Sequence, residues 1–87
     1  MNLVIEVRLK GVVNTSYEAT LNGVKGVFGS GKGELEAVGG CMRTADSLSD
    51  LTGFTMPTTW RDRTDIEKGS AAVAGLIPGL VVKKISG

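Results

Sequence analysis

From Asn2 to Lys10 the chain alternates: Leu3, Ile5, Val7 and Leu9 take one side while Val4, Glu6, Arg8 and Lys10 take the other, the two-residue period of a strand with one wet face. Gly11 permits a bend, after which Val12-Val13 continue the sheet or begin a new strand. Asn14-Thr15-Ser16 fits a glycosylation acceptor but reads as a turn. Tyr17 to Leu21 and Val24 to Phe28 flank Asn22-Gly23, a pair favoured in two-residue type I′ hairpins because both positions need positive φ. Gly29 to Gly33 then connects to a further strand, Glu34 to Val38, so residues 1–40 read as a β-meander ending at Gly39-Gly40. Thr44 to Leu51 fits a short helix with Gly53 beyond its end. Phe54 to Thr59 fits a strand that Pro57 confines to an edge or a bend. Trp60, among Arg61, Asp62 and Arg63, is expected at the rim of the core.

Asp65 to Ser86 alone reads as strand, short helix, tight turn and strand in succession. Thr64 and Glu67 have the spacing of a capping box, but Gly69 and Ser70 interrupt a helix begun there, and the pattern places the helix start after Ser70. With Gly75 closing it, such a helix is too short to hold by itself in water, so Val73, Leu76 and Ile77 are expected to be gripped by the core. Pro78-Gly79 makes a turn into the β-branched run Leu80 to Ile85.

This succession resembles the middle of a PDZ domain. The matching residues are Ile66, Gly69, Ser70, Ala71, Ala72, Ala74, Gly75, Leu76, Pro78, Gly79, Val81, Val82, Ile85 and Gly87, while Leu80 stands where the family carries an acidic residue. The resemblance implies binding of an extended peptide at an open sheet edge, beside a loop whose amides receive a terminal carboxylate. Carried upstream, it puts that loop at Leu51-Thr52-Gly53-Phe54, with Leu51 in place of a usual glycine, and a peptide-binding set of Leu51, Thr52, Gly53, Phe54, Thr55 and Met56. A standard PDZ domain continues past Gly87 into a longer helix and a closing strand. Either the first strand replaces the closing strand in a permuted arrangement, or the sequence is a piece of a longer domain, or another subunit supplies the element.

Eighty-seven residues suffice for one domain, 1–87, divided into the meander 1–40 and a PDZ-like segment 41–87 around one modest core. Ten basic and nine acidic residues leave a charge of +1, which supplies no pull towards nucleic acid. The single cysteine, Cys41, forms no internal disulfide, and no apolar run approaches the roughly 20 residues of a membrane span. Gly26-Val27-Phe28-Gly29-Ser30-Gly31-Lys32-Gly33 nearly matches a phosphate-binding P-loop, but Gly33 replaces the hydroxyl residue and Glu34 to Val38 read as too few for the helix that must follow. Histidine is absent, which removes the commonest general base and metal ligand, so no catalytic residue, metal or cofactor is assigned.

The expected fold is mostly β, a small, partly open barrel or curled sheet of five to six strands with one or two short helices, with α+β as the alternative. The expected function is a non-catalytic module that binds a protein or peptide C-terminus along an exposed sheet edge. The alternative is a structural subunit of a self-assembling complex, such as a secretion machine or virus particle, whose edges are filled by copies of itself in a homo-oligomer.

Overall fold

The computed structural model describes residues 3–11, 16–60 and 62–85. Three strands come first, β1 (Leu3–Leu9), β2 (Tyr17–Leu21) and β3 (Phe28–Gly31). Helices α1 (Glu34–Ser47) and α2 (Ser49–Thr52), a 3₁₀ turn (Thr58–Trp60), helix α3 (Asp65–Val73) and strand β4 (Leu80–Ile85) follow. The strands form one mixed sheet in the order β3-β2-β1-β4, with β2 antiparallel to both its neighbours and β4 parallel to β1. The described residues therefore make a small α+β fold on an open four-stranded sheet, not a mostly β barrel of five or six strands.

The first strand forms as its alternation requires. Ile5 and Val7 are buried opposite Leu21 and Ala19 of β2, while Glu6 and Arg8 lie on the other face opposite Thr20 and Glu18. Leu80 and Val82 extend the inner face through β4. Helix α1 covers β2 and β3, α3 lies beside it over β4, and both serve the same face. The residues 12–15, which carry the turn expected at Asn14, lie outside the described set, as do Arg61, Ser86 and Gly87.

Several expected elements are replaced, each for a physical reason. The Asn22-Gly23 turn is not type I′, because Gly23 has φ 83° while Asn22, like every described residue other than glycine, lacks positive φ. The connection is a longer loop with a second glycine turn at Gly26 (φ 84°), and β3 starts only at Phe28. Glu34 to Val38 is not a strand but the start of the 14-residue α1. Its buried residues Ala37, Val38, Cys41, Met42 and Ala45 recur with helical period, and Gly39-Gly40 lies within the helix instead of ending it. The helix read at Thr44 to Leu51 is the end of α1 plus α2, and residues 53–57 form no strand. Trp60 is half-buried against the core with the Arg63 guanidinium 4.3 Å above its ring, as a rim residue should be.

Helix α3 begins at the capping box and not after Ser70 as expected, so residues from Asp65 are helix where a strand was expected to lead in. The Thr64 hydroxyl accepts the Glu67 N–H at 3.4 Å, and the helix runs straight through Gly69-Ser70. Gly69 is needed because α1 crosses there: a Cβ on Gly69 would strike the Leu35 carbonyl, and one on Gly39 would strike the Asp65 carbonyl. Leu35 and Gly39 on α1 thus meet Gly69 and Asp65 on α3 in a reciprocal contact, with an Arg43–Asp65 ion pair (3.2 Å) beside it. The chain then turns at Gly75 (φ 75°) and buries Ile77, leaving Leu76 and Val73 exposed instead of gripped.

Candidate functional site

The segment expected to cradle a carboxylate is tied into the fold. Leu51 is 72 % exposed on α2, but Thr52 is buried, its N–H bonded to Leu48 O (3.0 Å) and its hydroxyl donating to Ala45 O (2.8 Å). The Gly53 N–H goes to Ser49 O (2.8 Å) in a left-handed cap, and the Phe54 N–H goes to the Thr52 hydroxyl (3.1 Å). Phe54 and Met56 are buried, the Met56 N–H donates to Asp46 Oδ1 (2.8 Å), and Thr55 is exposed. Four amides that a ligand would use are already committed, and no strand runs here for a peptide to join. The six residues are adjacent in space as in sequence; what they build is a clasp that closes α2 over α1.

Open backbone lies instead at the sheet edges. The β3 edge is four residues long, and the Thr44 hydroxyl, 3.3 Å from the Phe28 carbonyl, covers part of it. The β4 edge is six residues long. Leu3 donates its N–H to the Gly79 carbonyl at 2.8 Å, which sets the phase of the parallel ladder. Val81, Lys83 and Ile85 accordingly turn their backbone groups to β1, and Val82 and Lys84 turn theirs outward. No signal in the sequence identified β4 as an edge, since edge position depends on the order in which strands assemble.

The side chains of β4 divide between two faces. Leu80 and Val82 join the core, and Lys84, on the same face, reaches Glu34 at 3.1 Å. Val81, Lys83 and Ile85 lie on the uncovered face, where Val81 is 49 % exposed. Arg8 meets Glu6 (3.8 Å) and Lys10 meets Glu18 (3.6 Å), so Lys83, although opposite Glu6 in the ladder, closes no ion pair among the described residues. These pairs are partly exposed and each contributes at most about 1 kcal/mol.

Other features of chemical interest take structural roles. Cys41 is fully buried on α1, and desolvation pushes its thiol up to about 12, which keeps it protonated and poorly nucleophilic at neutral pH. The P-loop-like run does lead into a helix, and a long one, which corrects the expectation that it could not. Phe28 to Gly31 is nevertheless strand rather than cradle, with Gly29 pressed against α1 backbone and acidic Glu34 and Glu36 in the first helical turn. Among the described residues no group of three His, Cys, Asp or Glu side chains is placed to hold a metal ion, and no helix is long and apolar enough to cross a membrane.

No match ties this chain to a known protein. Neither the protein-family models, nor the curated proteins, nor the solved structures contain a match to it. The functional reading therefore rests on its own residues.

Proposed function

We propose that this domain is a non-catalytic protein-binding module that recruits an extended peptide segment as an added strand alongside β4. The reading rests on one observation, the outward-facing backbone groups of Val82 and Lys84 on a six-residue edge strand. Unpaired edge groups are a template for another strand, and the main-chain bonds supply affinity while alternate side chains supply selectivity. Strand addition is also the mode that the PDZ-like stretch implies, moved from residues 54–56 to β4. A free C-terminus is not a requirement at this edge, because a strand-adding ligand bonds through its interior amides.

The test is a titration of the ¹⁵N-labelled domain with peptides selected from a random hexapeptide library. Binding is expected to shift the amides of Leu80 to Ile85, and amidated and free C-termini are expected to bind alike. Lys84→Pro removes an outward N–H without removing a bond to β1, so it should abolish binding while Lys84→Ala retains it. Selected peptides that instead shift the amides of Gly53 to Met56, or that bind Lys84→Pro as they bind the parent, overturn the reading.

A further inference from the structure

We infer that the segment received by β4 carries an acidic residue flanked, two positions away on each side, by apolar residues. This inference rests on the strand-addition reading above and adds the chemistry of the partner to it. A strand laid against β4 places every second side chain on the uncovered face, beside Val81, Lys83 and Ile85. Two of those are apolar, and Val81, beside Val4 of β1, is half exposed on its outer side. Between them stands Lys83, which faces Glu6 across the ladder but closes no ion pair with it, Glu6 being turned to Arg8, whereas Arg8, Lys10 and Lys84 nearby each have a carboxylate partner among the described residues. The complement of this row is apolar, acidic, apolar. Because that pattern reads the same in both directions, it serves a parallel or an antiparallel ligand.

A second copy of the domain is a poorer occupant. Continuing the sheet through a two-fold axis normal to it pairs β4 residues only with residues of the same face, which leaves two registers of longest overlap. One sets Lys83 against its own copy, and the other sets it against Val81. Like charges directly opposite are destabilising, and a lysine over a valine gains no ion pair, so neither register supplies what an acidic ligand supplies.

Three capped peptides test this, Val-Thr-Glu-Thr-Val and its variants with Gln or Lys at the centre, titrated into the labelled domain with the Val82 and Lys84 amides as reporters. The Glu peptide should bind about three-fold more tightly than the Gln peptide, the size of one partly exposed charge pair, and more tightly still than the Lys peptide. In Lys83→Glu the order should invert, with the Lys peptide the best ligand. Equal affinity of all three at β4 overturns the acidic centre and leaves strand addition standing. Failure of all three to move the β4 amides overturns strand addition and this inference with it. A free domain that sediments as a dimer which the Glu peptide does not dissociate assigns the edge to a second copy and overturns the inference too.

Discussion

The sheet and the helical layer are both rich in glycine, and glycine does opposite jobs in them. In the β2–β3 loop Gly23 (φ 83°) supplies a backbone conformation, and a Cβ there would meet nothing. In α1 and α3, Gly39 and Gly69 have ordinary helical backbone and supply space, because a Cβ at either would strike the carbonyl of the other helix. The sheet is specified by side chains that are present at alternate positions; the helical crossing is specified by side chains that are missing. One kind of instruction is visible in a hydrophobic pattern, and the other is visible only once a partner helix is in place.

Substitution at the crossing gives the largest expected effect. Gly69→Val forces branched carbon into the Leu35 carbonyl, a backbone group that cannot rotate aside, and should cost about 3 kcal/mol or more in urea unfolding. Gly69→Ala is the sharper test because two principles give it opposite signs. In an exposed helix interior the change stabilises by roughly 1 kcal/mol, whereas here the added Cβ should make the protein less stable than the parent. A Gly69→Ala domain with a raised unfolding midpoint would mean that the two helices do not approach so closely.

Adjacent residues at the entry to β4 extend the comparison. Ile77 is 3 % exposed and Leu76 is 62 % exposed, although both are large aliphatics after the same short helix. Ile77→Ala should lose about 2–5 kcal/mol, the range for a truncated core aliphatic. Leu76→Ala should stay within about 0.5 kcal/mol of the parent. Equal losses would place Leu76 in the core after all.

What the sequence made legible follows the same division. Leu3 to Leu9 declared a half-buried strand because a period of two is compact and unambiguous, whereas Tyr17 to Leu21 was found as an arm beside Asn22-Gly23 and Leu80 to Ile85 as a β-branched run after Pro78-Gly79. Helix α1 was missed because the glycines at 29–33 and Gly39-Gly40 read as the ends of a strand at Glu34 to Val38, while the apolar period at Ala37, Val38, Cys41 and Met42 argued for a helix. The expected site failed locally: Gly53 does take the left-handed conformation a turn needs, but Thr52, Ser49 and Asp46 absorb the amides around it. A side-chain acceptor ten residues away, as Asp46 is from Met56, cannot be assigned to a particular amide before the fold is known. The β4 edge was invisible for a topological reason, since nothing in Leu80 to Ile85 says which of its two sides will be covered.

A smaller effect separates the two layers by pH. Cys41 sits on α1 facing the sheet, and burial raises its thiol from 9.0 to about 12. The folded state therefore holds the neutral thiol where the unfolded chain ionises: the contribution to stability is fully present below pH 9.0 and is lost as pH rises towards about 12. Unfolding midpoints measured across that window should fall faster for the parent than for Cys41→Ala, with the other titrating groups cancelling between the two. Parallel pH profiles would show that the thiol reaches solvent.

The smallest effect distinguishes the two helix starts that the sequence offers. Thr64 and Ser70 are both N-cap residue types, and the glycine before Ser70 makes the later start look cleaner by propensity. The helix nevertheless begins at Thr64, because the crossing at Gly69 gives those first turns a surface to pack on, and tertiary packing outweighs propensity in a short helix. Thr64→Ala should therefore cost about 1 kcal/mol, towards the lower end for a cap since the bond to Glu67 is long at 3.4 Å. Ser70 is exposed within α3, so Ser70→Ala should be neutral or stabilise by a few tenths of a kcal/mol, ~0.3, through helix propensity alone. Urea midpoints ordered the other way would put the helix start after Ser70, and residues 65–69, with Gly69 among them, would then have to leave the crossing.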